Sequence, residues 1–327
     1  MIISIPFSHF DNDLFRSIPL LLSSAVMKTT VRKWRSMSGS DYLVFITLLL
    51  LGFFFFRSFF GDDRLQLADE YSLCIADKLK DLQDGEIWNK SFADVHECKT
   101  IYLQNVDQIK EYYNNDEFKY SFDPIGDDKL TDCNVITLGI GHDTTVETTF
   151  KETYYSECNF YAADPITATN EELYKPIGQY FPFAVGNETK KEVANVKEDP
   201  TSLQYTQKVF EHVELVEFLR DHVKLPKGSV IDHLLMDVEY AEYGMFDYFY
   251  KNSKLVEAGY TVCQWNFECH PPNDEQSQQF GSFLRRMAEE GRFLPIFHSN
   301  IGWWGRFYFL NVEDGRCLER YVYGQLF

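Results

Sequence analysis

The stretch NVITLGIGHD, residues 134–143, decides the fold. An apolar run from Val135 to Leu138 ends in Gly139-Ile140-Gly141, and such short runs are typical of buried parallel strands. Glycine lets the backbone approach a ligand closely, and a following helix points its N-terminus at that ligand. The stretch therefore predicts the first strand and cofactor-binding turn of a doubly wound α/β domain, with an ordinary tight turn as the alternative.

From Asn134 onward the sequence alternates between short apolar runs and longer helical stretches, which predicts βαβ units and a mainly parallel sheet. Strands are predicted at residues 134–139, 158–163, 179–185, 231–237 and 261–268, and helices at 143–152, 168–175, 207–222, 243–257 and 274–290. Helices are also predicted upstream at 62–90 and 103–113, and antiparallel closing strands downstream at 293–297, 306–310 and 320–323. Pro295 restricts the first closing strand to a sheet edge or a strand end.

A long apolar segment at residues 42–60 predicts a single transmembrane helix, interrupted only by Arg57, whose stem can reach the interface. Basic residues precede this segment and Asp62 and Asp63 follow it, so the positive-inside rule predicts a cytoplasmic tail at 1–41. Residues 61–130 would form a helical stem or cap, and 131–327 the main domain. The expectation is a single-pass type II membrane protein with a lumenal (ER or Golgi) or extracellular domain; a cleaved signal peptide is the alternative.

Cysteines and glycosylation sequons agree with an oxidising, lumenal compartment. All seven cysteines lie after the apolar segment, and sequons begin at Asn89 and Asn187. Disulfide connectivity is left open, except that Cys263 and Cys269 cannot pair within one straight strand.

The formal net charge of −19 is concentrated after residue 61, because residues 1–61 hold more basic than acidic residues. A field of that sign repels phosphate backbones, and no basic stripe reverses it locally. A nucleic-acid partner is therefore not expected.

Candidate site residues stand where predicted strands end, since ligands of doubly wound sheets bind there. Asp164 ends the second strand and is suited to accepting hydrogen bonds from ribose hydroxyls. A third glycine after Gly139 and Gly141 is missing, which disfavours NAD. Asp237 and Glu239 leave the fourth strand together, and two such carboxylates require a cation, a metal or hydrogen-bond donors.

The fifth predicted strand carries an unusual polar series. Gln264, Asn266, Glu268 and His270 would share one face of a buried strand, so Glu268 and His270 are candidates for an acid/base pair. No His/Cys spacing predicts a zinc site, and no metal is assigned. A divalent ion held by Asp237, Glu239 or Glu268 is an alternative.

The ordered set of residues 138–143, Asp164-Pro165, 184–187, 237–242 and 266–270 resembles the FkbM-type methyltransferases, a branch of the class I S-adenosylmethionine (AdoMet)-dependent enzymes. The resemblance covers the chain from Asn134 to the C-terminus. It implies a Rossmann-like, mainly parallel seven-stranded sheet and AdoMet as the cofactor.

By this resemblance, the backbone of Gly139 and Gly141 would lie alongside the methionine moiety of the cofactor. Asp164 would hold the ribose, and Asp237 would complete the cofactor site. Asp237 and Glu239 would face the methyl group or the acceptor. The expected reaction is transfer of the methyl group to an oxygen of a small molecule or glycan. The candidate bases are Asp237, His270 and His142.

Three positions depart from the family pattern. Thr137 stands where an acid is common, Leu235 where a lysine is frequent, and Tyr240 where a glycine usually follows the acid pair. A catalytically inactive binding or interaction domain is therefore one alternative. A Golgi-type glycosyltransferase is another, but the DxD motif that it would favour is found only at Asp11–Asp13, in the predicted tail.

Overall fold

A seven-stranded central sheet, a three-stranded sheet and a two-stranded sheet organise the computed structural model. The structure describes residues 62–103, 108–114, 118–126, 130, 132–153, 155–196, 204–301 and 304–326. The described strands are β1 (Lys110–Tyr113), β2 (Phe118–Ser121), β3 (Asn134–Leu138), β4 (Asn159–Ala163), β5 (Gln179–Phe181), β6 (Ala184–Gly186), β7 (Lys190–Val196), β8 (Thr206–Glu214), β9 (Val230–Met236), β10 (Thr261–Cys269), β11 (Phe293–Ile301) and β12 (Trp304–Asn311). The described α-helices are α1 (Asp62–Leu79), α2 (Asp84–Tyr102), α3 (Thr145–Glu152), α4 (Thr167–Tyr174), α5 (Leu215–Glu217), α6 (Glu242–Met245), α7 (Lys254–Ala258), α8 (Asp274–Glu290) and α9 (Gly315–Cys317). The chain divides into two units, Met1–Asp62 and Asp63–Phe327, and the described structure is essentially that of the second.

The seven strands of the central sheet run in the order β11-β12-β10-β9-β3-β4-β5. Neighbours from β10 to β5 are parallel, whereas β12 is antiparallel to both β10 and β11. The mainly parallel seven-stranded α/β sheet predicted from the sequence is therefore confirmed. Pro295 lies on β11, an edge strand, as its missing N–H group requires.

The chain reverses its direction of travel across the sheet between β3 and β9. From β3 it moves outward through β4 to β5, and it then returns to place β9 on the other side of β3. In an open α/β sheet such a switch point creates a crevice at the carboxyl ends of the strands. The fold thus places a cleft beside the turn that follows β3.

The polar face of β10 is explained in part by the strand that lies across it. Asn266 accepts from the Tyr120 N–H at 2.7 Å and donates to its carbonyl at 2.8 Å, and Gln264 makes the corresponding pair of bonds with Phe122. Two buried amide side chains therefore satisfy the backbone of β2 and the residue after it. Of the polar series on β10, only Glu268 and His270 remain for a site.

Three segments predicted as single elements are divided in the structure. Residues 62–90 form α1 and the start of α2, residues 179–185 form β5 and most of β6 in two different sheets, and residues 243–257 contain most of α6, a 3-10 turn and most of α7.

Three further secondary-structure predictions are wrong in type. The helix predicted at 103–113 is replaced by the end of α2 at Tyr102 and by β1. Val209, Val213 and Val216 have helical spacing, but residues 206–214 form β8, which pairs with both β6 and β7. The strand predicted at 320–323 lies in a π-helical turn, where Arg320 and Tyr321 both bind the buried carboxylate of Asp232. In each case tertiary pairing overrides a local pattern.

Three disulfides join elements that are distant in sequence: Cys74–Cys98, Cys133–Cys158 and Cys263–Cys317. Cys269 is a buried free thiol. Cys263 and Cys269 lie on the same strand and do not pair, as predicted.

The described residues include no helix with the length and apolar character needed for a bilayer crossing. The predicted cytoplasmic tail at 1–41 and transmembrane segment at 42–60 lie outside the described residues. From the region predicted as stem or cap, α1 and α2 are described, and α2 packs on α8 and β11.

Candidate active site

Three strand ends bring the predicted site residues to one edge of the sheet. The Gly139 N–H donates to the Ala163 carbonyl at 2.9 Å, and the Asp237 N–H donates to the Leu138 carbonyl at 2.8 Å. These bonds continue the ladders of β3 with β4 and β9 one residue beyond the strands. The glycine turn, Asp164 and Asp237 are therefore neighbours because the strands are parallel and in register.

The glycine turn has a backbone conformation that explains its composition. Gly139, Gly141 and His142 have φ values of 83°, 63° and 67°, all in the left-handed region. A Cβ atom on Gly139 would stand 1.8 Å from the carbonyl oxygen of Asp237, whereas one on Gly141 would meet nothing within 4 Å. The backbone of Gly139 thus packs directly against that of Asp237.

Asp164 fixes the shape of this turn. Its Oδ2 accepts from the Ile140 N–H at 2.8 Å, and its Oδ1 accepts from the Ile166 N–H at 2.7 Å. Burial raises the pKa of Asp164, and the two amide bonds oppose that shift. A side-chain hydrogen bond with Asn170 opposes the shift as well. A carboxylate has about four acceptor positions, so the side chain can position the turn and still accept from a ligand hydroxyl.

A cleft of about 470 Å³ opens beside these residues, a size within the usual range for small-molecule sites. The predicted residues that line it are Gly139, Gly141, His142, Asp164, Asp237 and Glu239. The three-stranded sheet, in the order β6-β8-β7, forms another wall through residues such as Val185 and His212. Glu268 and His270 do not line the cleft; they contact Asp237 and Glu239 from behind.

His270 is the centre of a buried group of carboxylates. Its Nε2 lies 3.0 Å from Glu239 Oε2 and 3.8 Å from both Asp237 Oδ1 and Glu268 Oε1. Its Nδ1 lies 3.1 Å from Glu242 Oε1. Burial alone would lower the pKa of His270, but hydrogen bonds to Glu239 and Glu242 and the charge of Asp237 raise it to about 12.

The surroundings of Asp237 disfavour its charged form, whereas those of His270 favour the charged form. Burial, followed by the nearby charge of Glu268, raises the pKa of Asp237 well above the usual range. Its Oδ1 atom is buried and has no hydrogen-bond partner among the described residues. A carboxylate at the cleft wall thus keeps an oxygen that no donor in the described part of the chain satisfies.

Two of the three departures from the family pattern are compensated by residues from elsewhere. Thr137 and Leu235 are directly paired neighbours on β3 and β9. Thr137 Oγ1 donates to Glu147 Oε1 at 2.8 Å, so the carboxylate of Glu147 from α3 lies next to the site where relatives carry an acid on the first strand. Lys119 of β2 also lines the cleft, and its charge acts on both Glu147 and Asp237. An acid and a lysine are therefore present at the cleft, although neither comes from β3 or β9.

The third departure, Tyr240, has φ 78° and follows Glu239 at 49°. A glycine would adopt this left-handed conformation without strain, which for other residues costs roughly 1–2 kcal/mol. The ring lies 4.9 Å from that of His270. Backbone strain at this turn coincides with the functional cluster.

Sequence reasoning missed Lys119, Glu147, Asn170 and Arg306. Asn170 Oδ1 accepts from the His142 N–H at 3.1 Å, and Arg306 Nε donates to Glu268 Oε2 at 2.7 Å. The position of Glu147 in the first turn after the glycines was a signal that could have found it. Lys119 and Arg306 act through strand pairing that a single sequence does not reveal.

The two sequons differ in setting. Asn187 is exposed on the segment between β6 and β7. Asn89 is exposed on α2, but Ser91 of its sequon is fully buried. Of the two, Asn187 is the more accessible acceptor.

Sheet order, glycine turn, strand-end acid and cleft together are typical of a Rossmann-like α/β domain. The sequence model of the methyltransferase FkbM domain matches residues 104–294. The chain belongs to the FkbM methyltransferase family, as its ordered motifs predicted. No curated protein and no solved structure matches it.

Proposed function

We propose that this chain is an AdoMet-dependent methyltransferase that transfers a methyl group to a hydroxyl oxygen of a small molecule or glycan. One observation carries the proposal: the cleft joins a glycine turn held by Asp164 to the carboxylate of Asp237, whose side chain is 33% exposed at the cleft wall. The first feature suits a nucleoside, and the second suits removal of a proton from an acceptor.

The proposed reaction is an in-line displacement. The acceptor oxygen forms a bond to the methyl carbon, the carbon–sulfur bond breaks, and its electron pair remains on sulfur. The proton of the acceptor hydroxyl passes to Asp237. His270 is less suited to this role, because carboxylates occupy both of its ring nitrogens and it does not line the cleft. The residues that line the cleft would mainly hold the acceptor oxygen in line with the carbon–sulfur bond that breaks.

We propose that Glu147 serves the amino-acid part of the cofactor. It is a buried carboxylate at the cleft, and Thr137 Oγ1 donates to its Oε1. Burial raises the pKa of Glu147, and the charge of Lys119 opposes that shift. The ammonium group of the methionine moiety is a cation of the type that such a carboxylate stabilises.

Calorimetric titration of the full-length chain with AdoMet and with 5′-methylthioadenosine, which lacks the amino-acid group, tests both assignments. Asp164→Ala removes the acceptor for two backbone amides, and we expect affinity for both ligands to fall by about 100-fold or more. Glu147→Gln should weaken AdoMet by about tenfold and leave methylthioadenosine unchanged.

Each variant is the control for the other in this experiment. Absence of AdoMet binding by the wild type, or wild-type affinity in Asp164→Ala, would contradict the proposed function. Equal loss of both ligands in Glu147→Gln would reject only the assignment of Glu147 to the amino-acid group.

We further propose that the domain lies in the lumen of the secretory pathway or outside the cell, on a type II membrane anchor. Three disulfides support an oxidising compartment, and Asn187 is exposed. Expressed in a glycosylating cell, the wild type should lose apparent mass on glycosidase treatment, and the change should be smaller or absent in Asn187→Gln. A glycosidase-resistant wild type with a protease-accessible domain on the cytosolic side would reverse this orientation.

A further inference from the structure

The residues around His270 have the composition and spacing of a metal-ion site. One ligand atom each from Asp237, Glu268 and His270 lies within 4.8 Å of the others. Glu239 Oε2 lies 3.0 Å from the same ring nitrogen, His270 Nε2. Three carboxylates and one imidazole thus converge on a common point from two strand ends.

A second layer of hydrogen bonds holds these side chains in place. The far ring nitrogen of His270 faces Glu242 Oε1, which also accepts from the His270 backbone N–H at 2.7 Å. Glu268 Oε2 is bound by Arg306, which leaves Oε1 turned toward His270. Metal-bound histidines usually pair their other nitrogen with a carboxylate, and ligating carboxylates are themselves hydrogen-bonded.

An unsatisfied oxygen gives an independent indication of a cation. Asp237 Oδ1 is buried, has no hydrogen-bond partner among the described residues and lies 3.8 Å from His270 Nε2. Leaving a buried carboxylate oxygen unmatched is costly, and a cation between it and His270 would remove that cost.

We propose that Asp237, Glu268 and His270, assisted by Glu239, bind one divalent cation of the Mn²⁺ type. Carboxylates favour Mg²⁺, Ca²⁺ and Mn²⁺, while an imidazole favours transition metals, and Mn²⁺ satisfies both preferences. The absence of cysteine among these ligands disfavours a structural zinc centre. The cation replaces a proton on Nε2 as the partner of the three carboxylate oxygens.

The location gives the cation a role in the proposed methyl transfer, on which this step rests. Asp237 and Glu239 line the cleft, so a cation that they help to hold would lie at the cleft wall, close to the acceptor. Its positive charge would stabilise the negative charge that develops on the acceptor oxygen as the proton leaves. The proton then passes to a carboxylate oxygen of Asp237 that does not bind the metal, while the oxygen attacks the methyl carbon.

Mn²⁺ binding to the full-length chain is measured by calorimetry and by loss of the free-ion paramagnetic resonance signal. We expect one site per chain. His270→Gln should abolish binding, and Glu242→Gln, which alters only the second layer, should weaken it by about 10–100-fold. His212→Gln changes a histidine on the opposite cleft wall and should bind Mn²⁺ like the wild type.

The same samples are titrated with AdoMet without metal, which separates the two proposals. AdoMet binding without Mn²⁺ binding would overturn the metal site and leave the proposed function intact. Mn²⁺ binding without AdoMet binding would contradict the proposed function and leave the metal site intact. If His270→Gln fails to fold, Glu268→Gln provides the test, and wild-type Mn²⁺ affinity in a folded variant of either residue would reject the site.

Discussion

Gly139→Ala should destabilise the domain by at least about 4 kcal/mol, enough to prevent accumulation of folded protein. The new Cβ would stand 1.8 Å from the carbonyl oxygen of Asp237, and neither backbone can move without breaking the ladder between β3 and β9. The φ of 83° adds left-handed strain. Soluble yield and the denaturant midpoint of unfolding measure the effect.

Gly141→Ala is the matched control, because it changes the same turn by the same atom. Its φ of 63° is also left-handed, but the added Cβ would meet nothing within 4 Å. We expect a loss of only about 1–2 kcal/mol. Similar midpoints for the two variants would show that the close approach of Gly139 to Asp237 does not govern stability.

The contrast between these glycines shows how far the sequence leads. The short apolar run and its two glycines predict a strand and a ligand-binding turn from local rules alone. Which glycine is indispensable depends on β9, a strand almost a hundred residues away. The strands β3, β9 and β10, whose residues are all buried, were predicted to within one residue at each end. The strand β8 was not predicted, because its apolar spacing mimics a helix.

The residues of the candidate site also fall into two groups, those that local sequence patterns predict and those that only the tertiary structure reveals. Asp164, Asp237 and Glu239 were predictable because they end strands, and strand ends meet at one edge of a parallel sheet. Glu147 and Lys119 were not assigned, since they reach the cleft from a helix and from a strand laid across the sheet. A substitution such as Thr137 therefore looks like lost function in sequence, although the structure brings an acid back to the same place.

Asp237→Asn should reduce methyl transfer by about 10²–10⁴-fold, the usual contribution of a positioned base. The substitution preserves shape, and the Asp237 backbone N–H still bonds to Leu138, so the sheet edge should persist. It removes both the proton acceptor and a negatively charged ligand for the proposed cation. Labelled methyl transfer from AdoMet into small-molecule and glycan fractions of cell extracts measures the rate at saturating cofactor.

A rate effect is attributable to the chemistry only if binding survives. AdoMet affinity should change little in Asp237→Asn, because the nucleoside is held at Asp164 on the other side of the glycine turn. Asp143→Asn alters another acid of the cleft, one that accepts from Thr145 at the start of α3, and should retain most of the activity. An unchanged rate in Asp237→Asn would exclude it as the base. A wild type that binds AdoMet but labels no fraction would favour a binding domain over an enzyme, because the cofactor cleft would then be present without turnover.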